Sequence, residues 1–153
     1  MLMRELQFNI ASEQDIPFIM EVYNENISSL HGNYRNFDDW KSLISTNNST
    51  YFIASSTQPV AWFRLDFDDE MLWLGMIQVK PKYHRQGIGR SILSFIENFA
   101  KEKQIHKIGI HTTEDNIAAR ALYETSKYTV SEIGTCTTSD GVERIGYTFK
   151  KRM

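Results

Sequence analysis

Residues 79–93, VKPKYHRQGIGRSIL, decide the fold of this chain. An apolar run ends here, and a basic segment then crosses Gly87 and Gly89 into a helical pattern. Apolar residues recur at three- and four-residue intervals from Ile88, which predicts an amphipathic helix that ends near Gln104. Where a strand leads through glycines to a helix N-terminus, free backbone N–H groups and the helix dipole attract an anion, most often phosphate.

The period of the apolar residues assigns the other elements. Strands are predicted in LQFNIAS, TYFIASS, PVAWFRLDF, MLWLGMIQV, KIGIHTT, TVSEIGTCTT and ERIGYTFKKR. Helices are predicted after a Ser12 cap with Asp15 as its acidic partner, in FDDWKSLI with Asp38 or Asp39 as cap, and in NIAARALYETSK. This order predicts one α/β domain over residues 1–153, a mixed sheet of about seven strands flanked by about four helices. The strands on either side of the long helix should be parallel.

Composition limits the classes of function. The chain has 153 residues, which suits one domain with its own core. Its net charge of −2 gives no general attraction for nucleic acid. No apolar run approaches the roughly 20 residues needed to span a membrane. The only cysteine, Cys136, excludes an internal disulfide and a cysteine-rich zinc site, and no histidine spacing indicates a metal. We expect a cytoplasmic protein without nucleic-acid or membrane partners, with Cys136 buried in a strand.

The glycine turn can be compared with three phosphate-binding motifs. A P-loop needs Lys-Ser/Thr after its glycines, which this turn lacks. A dinucleotide fingerprint needs GxGxxG, but Ile92 stands at its third glycine. The acyl-coenzyme A pyrophosphate loop, [Q/R]xxGx[G/A], fits best, with His84 at its first position. Another nucleotide-phosphate ligand on the same turn stays open as an alternative.

Two motifs together resemble the GCN5-related N-acetyltransferase (GNAT) superfamily. VxPxYxxxGIG, which begins at Val79, is similar to the family's strand, loop and helix start. NxxAxxLYE, which begins at Asn116, is similar to its second motif, although Ser126-Lys127-Tyr128 follows where the family often has Gly-Phe. The specific part of the resemblance runs from about residue 72 to 128. It implies the acyl-CoA N-acyltransferase fold, in which two central parallel strands splay apart.

The resemblance also implies how acetyl-CoA binds. Backbone N–H groups of residues 85–90 would hold the pyrophosphate with Ser91 within reach, and the glycines at 87 and 89 would let the phosphates approach the backbone. Main-chain groups of residues 77–79 would pair with the pantetheine arm. Gly75, inside that strand, is expected to mark a bulge.

The second motif supplies the remaining site residues by resemblance. Tyr123 would protonate the departing thiolate of coenzyme A, because a phenol keeps its proton at neutral pH. Asn116 would bond the cofactor's amide region or cap a helix, and Ala119 would leave room for the arm. The implied site is catalytic Tyr123 with cofactor-binding Ile77, Gln78, Val79, Arg85, Gln86, Gly87, Ile88, Gly89, Arg90, Ser91, Asn116 and Ala119.

The general base is left open by the sequence. Many relatives carry a glutamate at the position of Trp73. The neighbouring carboxylates, Asp66, Asp68, Asp69 and Glu70, lie in or beside a hairpin turn. Glu70 or Asp66 through water, His111 at the end of KIGIHTT, or a water chain alone are the alternatives.

The resemblance implies direct acetyl transfer in a ternary complex to a primary amine of a small molecule or peptide. The segment from Asn26 to Trp40 is a candidate wall of the acceptor site, or a polar surface loop. Homodimers are common among relatives, and the terminal hairpin is a candidate interface. A catalytically silent acyl-CoA-binding module for sensing or assembly is the alternative from another class, motivated by Trp73.

Overall fold

The computed structural model describes residues 5–68 and 70–153. Seven strands form one sheet in the order β1-β2-β3-β4-β5-β7-β6. The strands are β1 Gln7–Ile10, β2 Ser49–Ser55, β3 Pro59–Phe67, β4 Leu72–Val79, β5 Lys107–Thr113, β6 Thr129–Thr137 and β7 Glu143–Arg152. The helices are α1 Ile16–Leu30, α2 Phe37–Ile44, α3 Ile88–Glu102 and α4 Ile117–Thr125, with short 3-10 turns at Glu13–Asp15 and Pro81–Tyr83. The predicted mixed α/β fold is confirmed.

The two central strands, β4 and β5, are parallel and separate after a short contact. Only Leu72–Leu74 pairs with Ile108–Ile110, although β4 runs on to Val79 and β5 to Thr113. The register between β3 and β4 shifts where Gly75 is inserted, so the expected bulge is present. A Cβ atom on Gly75 would lie 2.3 Å from Nε of Arg64. Glycine therefore allows a guanidinium to lie over the point where the strands part.

The sheet is covered by helices on both faces. On the first, here the α1 face, α1 and α2 enclose a cluster of Ile16, Ile19, Val22, Tyr23, Trp40, Tyr51, Ile53 and Trp62. On the other, the α3 face, α3 and α4 pack over residues that include Phe52, Phe63, Leu65, Ile92, Ile96, Ile108, Tyr123 and Phe149. Neighbouring residues of β2 and β3 divide between the two clusters, because successive side chains of a strand point to opposite faces.

Two local expectations are wrong. The N-cap of α2 is Asn36, whose Oδ1 accepts the N–H of Asp39 at 2.8 Å, while Asp39 closes the capping box from the third helical position. Cys136 is exposed because β6 is an edge strand without cover on either face. The Ser12–Asp15 cap is confirmed, with the Ser12 N–H donating to the Asp15 carboxylate at 2.8 Å.

Residues 5–68 and 70–153 contain neither a membrane-spanning helix nor a cluster of metal ligands. Across those residues no helix is long and apolar enough to cross a membrane. Nor do three or more His, Cys, Asp or Glu side chains of that set come together as metal ligands.

Candidate active site

The turn before α3 presents a row of free backbone donors. Arg85 and Gly87 adopt left-handed conformations, with φ of 62° and 80°. Ser91 N–H closes the first helical turn on the carbonyl of Gly87, and the N–H groups of residues 85–90 find no backbone acceptor within the described part of the chain. A Cβ built on Gly87 would meet nothing within 4 Å, so the space beside this turn is open. These donors, with the helix dipole behind them, suit a phosphate group.

The two glycines of the turn have different roles. Gly87 is needed for its positive φ, which a residue with a Cβ adopts at a cost. At Gly89 a Cβ would lie 2.9 Å from Cδ2 of Leu122, so this glycine lets α3 approach α4. Gly89 is therefore required for the packing of α3 against α4. From the sequence alone, this role cannot be told apart from the close approach of a phosphate to the backbone.

Charged and polar side chains line the same turn. Arg85, Arg90 and Ser91 are exposed, and Gln86 is half-buried with its Nε2 directed at the Lys82 carbonyl at 3.4 Å. Ile88 is buried and anchors the start of α3 in the core. The exposed arginines add positive charge around the free N–H groups.

The edge of β4 that faces β5 is open beyond Leu74. The Lys80 N–H donates to the Val60 carbonyl of β3. In an antiparallel pair, the main-chain groups of successive residues point alternately toward the partner strand and away from it. Those of Gln78 therefore face β3, and those of Ile77 and Val79 face the open edge. Of the three residues 77–79, two therefore face the opening with their backbone.

Side chains occupy part of this edge. The Val79 carbonyl accepts from Asn26 Nδ2 at 3.1 Å and lies 2.8 Å from His84 Nε2. Asn26 Nδ2 also donates to Oε1 of the buried Gln78 at 3.1 Å. Because the Val79 carbonyl already has partners, the Ile77 backbone and the Val79 N–H are the groups left for a ligand.

Helix α4 carries the second motif toward the opening from the α3 face. Asn116 Oδ1 accepts the Ala119 N–H at 3.2 Å, so the expected helix-cap role of Asn116 is confirmed. Tyr123 is buried against Tyr128 and Phe149, with ring centroids 6.3 and 5.6 Å away. Burial raises the pKa of Tyr123 well above its ordinary value. Its hydroxyl bonds to no described residue and keeps its proton at neutral pH.

On the α1 face, the Trp73 and His111 side chains are in contact where β4 and β5 separate. Their rings are stacked, with centroids 4.6 Å apart and planes 12° apart. A Cβ on Gly109 would lie 2.4 Å from the Trp73 ring, so the indole lies directly over that glycine. Trp73 Nε1 donates to Asp68 at 2.9 Å, and His111 Nδ1 lies 2.9 Å from the Thr148 hydroxyl.

A cavity of about 380 Å³ opens beside this pair on the α1 face. It is lined by His111, Thr112, Thr113, Glu132, Gly134, Thr135, Cys136, Gly146, Tyr147 and Thr148. Its walls are strands β5, β7 and β6, next to the part of the face that α1 and α2 cover. Its lining residue next to the gap between β4 and β5 is His111, so the cavity adjoins that gap on the face opposite to Tyr123.

Comparison with protein families matches residues 16–128 to the Acetyltransferase (GNAT) family. The chain belongs to the GNAT family. Comparison with curated proteins finds no match.

Solved structures of GNAT enzymes share this fold. The ribosomal-protein-S18-alanine N-acetyltransferase from Escherichia coli is similar with a TM-score of 0.77 and 18% identity, covering 96% of this chain and 93% of that one. Spermidine N-acetyltransferase from Vibrio cholerae, solved with CoA and spermine, has a TM-score of 0.82 and 17% identity over 97% and 95%. A Salmonella typhimurium acetyl transferase that modifies the N-terminal serine of L7/L12 has a TM-score of 0.82 and 13% identity over 100% and 98%.

Two carboxylates in and beside the β3–β4 turn of this GNAT chain, Asp66 and Asp68, already have partners. Asp66 accepts from Ser49 Oγ at 2.6 Å and is paired with Arg64 at 3.1 Å. Hydrogen bonds from the Glu70 N–H and then from the Trp73 indole lower the pKa of Asp68. Glu70 is exposed in the turn, and Asp69 lies outside the described residues.

The segment after α1 contacts the β6–β7 hairpin. The Asp140 N–H donates to the His31 carbonyl at 3.1 Å, and the Asn33 side chain donates to the Ser139 carbonyl. His31 Nε2 lies 2.8 Å from Asp115, which is also 3.8 Å from Arg144. The sequence placed His31 in a candidate acceptor wall but gave no sign of Asp115 or Arg144, since the three are far apart along the chain.

Proposed function

We propose that this chain is an acetyl-CoA-dependent N-acetyltransferase that moves an acetyl group to a primary amine of a small molecule or peptide, by direct attack in a ternary complex. The observation that carries the proposal is the gap between β4 and β5 beyond Leu74 and Ile110. The α3 turn and Tyr123 lie on the α3 face of the sheet, and a cavity that adjoins the gap at His111 opens on the α1 face. Cofactor and acceptor can thus meet at one point from opposite faces.

The residues present fit the cofactor. Backbone N–H groups of residues 85–90 would hold its pyrophosphate, with Arg85, Arg90 and Ser91 at the rim. The Ile77 backbone and the Val79 N–H would pair with the amides of its pantetheine arm, while Asn116 Nδ2 and the small Ala119 lie on the α4 side. When bound, acetyl-CoA supplies an activated acetyl thioester.

Tyr123 is the proposed general acid. Burial raises its pKa, so the phenol is protonated at neutral pH and has a proton to give to the sulfur as the carbon–sulfur bond breaks. Its neighbours Tyr128 and Phe149 pack against the ring and hold its position. The retained tyrosine favours an enzyme over a silent acyl-CoA-binding module.

The acceptor class follows from the cavity and from the variety of relatives. A cavity of about 380 Å³ admits a small amine or the end of a peptide. The acceptors of the similar enzymes include spermidine, an alanine of ribosomal protein S18 and the N-terminal serine of L7/L12.

The test measures the rate of thiol release from acetyl-CoA in the presence of each of a panel of four amines: spermidine, tryptamine, phosphinothricin and a tripeptide with an N-terminal alanine. We expect one or more of these amines to accelerate release, with mass spectrometry showing the acetylated product. Binding of acetyl-CoA without turnover of any amine would support the silent module instead. Binding of ATP or NAD to the chain, without binding of coenzyme A, would support another nucleotide-phosphate ligand for the turn.

A further inference from the structure

We propose that His111 is the general base of this GNAT chain, with Nε2 as the proton acceptor and Thr148 as the residue that positions the ring. This role rests on the proposed acetyltransferase function and adds the group that the sequence left undecided.

His111 is placed where the acceptor must react. Pairing between β4 and β5 ends at Leu74 and Ile110, so His111 is the first residue of β5 beyond the contact. Ile108 and Ile110 pack on the α3 face, so alternation directs the His111 ring to the α1 face, where it lines the cavity. An amine in the cavity that reaches the gap between the strands therefore passes beside the imidazole.

The hydrogen bond to Thr148 determines which nitrogen of His111 can accept a proton from the amine. His111 Nδ1 lies 2.9 Å from Thr148 Oγ1, and Nε2 has no partner among the described residues. If Nδ1–H donates to the hydroxyl, the lone pair of a neutral imidazole is on Nε2 and open to the cavity. Thr148 lies on β7 directly opposite His111 in the sheet register, which holds the two groups together.

Trp73 holds the ring from the other side. The indole stacks on the imidazole with ring centroids 4.6 Å apart. Its own position is fixed by the hydrogen bond to Asp68 and by packing against Gly109, which has no side chain there. The ring is thus held by one hydrogen bond and one stacking contact, and Trp73 fills the position where a carboxylate base would project. Trp73 thus orients His111 as the base in place of a carboxylate.

Competing groups nearby are less suited. Asp66 and Asp68 already accept hydrogen bonds from Ser49 and Trp73, and Glu70 lies in an exposed turn. Of the other ionisable groups, Glu132 and Cys136 line the same cavity as His111, and Lys150 lies opposite Gly109 in the sheet register. Asp68 is held at the Trp73 indole.

The proton balance is simple. As the acceptor nitrogen bonds to the acetyl carbon and the carbon–sulfur bond breaks, the nitrogen loses one proton to His111 Nε2. Tyr123 gives one proton to the departing sulfur. Both side chains then return to their starting states by exchange with water.

The test uses three variants of the whole chain: His111→Gln, Thr148→Val and the conservative Thr148→Ser. Turnover number is measured across pH with the panel amine that reacts fastest, at saturating concentration, and acetyl-CoA binding is measured by calorimetry. Independently of turnover, NMR of the imidazole nitrogens of His111 reports which nitrogen carries the proton in each chain.

We expect His111→Gln to lower the turnover number about 100-fold or more and to remove the decline of activity on the acid side, with acetyl-CoA affinity unchanged. The parent and Thr148→Ser should show the Nδ1–H tautomer. Thr148→Val should show a mixture of tautomers and a turnover number about tenfold lower.

A His111→Gln protein that keeps the parent's turnover number and acid-side decline overturns the role of His111 alone. So does an Nε2–H tautomer in the parent. A parent that binds acetyl-CoA but turns over no amine overturns the proposed function, and the role of His111 with it. The two failures are therefore distinguishable.

Discussion

At the scale of single residues, burial gives Tyr123 its chemical character. The ring is 6% exposed and touches two aromatic neighbours, so the protonated phenol is strongly favoured. A proton donor that stays neutral until a thiolate forms suits collapse of a tetrahedral intermediate.

Tyr123→Phe removes only the hydroxyl. We expect the turnover number to fall about 100-fold, because the thiolate must then take its proton from water, and the affinity for acetyl-CoA to stay the same. Steady-state thiol release and calorimetry together check this. Retention of full activity would exclude Tyr123 as the acid.

Gly109 is the second residue whose size matters. A Cβ there would lie 2.4 Å from the Trp73 ring and 2.9 Å from the Met71 methyl group. We expect Gly109→Ala to displace Trp73 from His111 and to lower the free energy of unfolding by about 1–3 kcal/mol. Denaturant titration measures the loss.

Gly134→Ala is the matched control for Gly109→Ala. Gly134 also lies in a strand, but a Cβ there would meet nothing within 4 Å. Equal stability of the two variants would show that Trp73 adapts without cost and that Gly109 does not fix the stack.

At the scale of elements, the β6–β7 hairpin turn carries a charge cluster that titrates in acid. Hydrogen bonds from Thr138 and from Arg144 hold the pKa of Asp140 at about 2, below its ordinary value of 3.8. A lowered pKa in the folded state means that the ionised carboxylate stabilises the turn above about pH 4 and that this contribution is lost as the pH falls toward 2.

Asp140→Asn should therefore be less stable than the parent at neutral pH, and the difference should shrink between pH 4 and 2. Thermal unfolding of both proteins across this range is the measurement. A difference that does not change with pH would mean that the contacts of Asp140 depend on its shape and not on its charge.

Elements were easier to predict than the contacts between them. Periodicity located the helices and most of the strands, because these elements bury one face or both, and the parallel pair followed from the crossover α3. The N-cap of α2 was misplaced since Asn36, Asp38 and Asp39 are all good caps and only the backbone decides among them. The direction of the Gln78 main chain required the register with β3, which no sequence pattern gives.

At the scale of the whole molecule, the sheet ends in an unprotected edge. β6 is the outermost strand, all of its residues are exposed, and it contains no lysine, arginine or proline. Ile133 on this strand is 59% exposed. Natural edges of this kind tend to pair with another strand.

We expect a second copy of the chain to pair antiparallel along residues 133–137. A two-fold axis at Thr135 would bring no like charges together, since this part of β6 is uncharged. Thr135→Lys would place two lysines face to face and should give a monomer by sedimentation equilibrium, while Thr57→Lys, in an exposed loop, should behave as the parent does. A monomeric parent would exclude this dimer.

The candidate site could be predicted from the sequence where a motif is local, and not where it is assembled from distant strands. The glycine turn and α4 each lie within one short segment, so their resemblance to known motifs located them. The Trp73–His111–Thr148 group joins β4, β5 and β7. The His31–Asp115–Arg144 group joins the end of α1, the loop before α4 and β7. Their members become neighbours only when the sheet order is known.

The central claim is that the turn before α3 binds the pyrophosphate of acetyl-CoA, and calorimetric titration of three proteins tests it most directly. Gly87→Asp and Gly87→Asn introduce side chains of the same shape that both tolerate a positive φ, and they differ only in charge. We expect the parent to bind acetyl-CoA at micromolar concentration, Gly87→Asn to bind more weakly, and Gly87→Asp to bind at least about tenfold more weakly than Gly87→Asn, because a carboxylate repels the phosphates. No binding to the parent, or equal binding to the two variants, would contradict the claim.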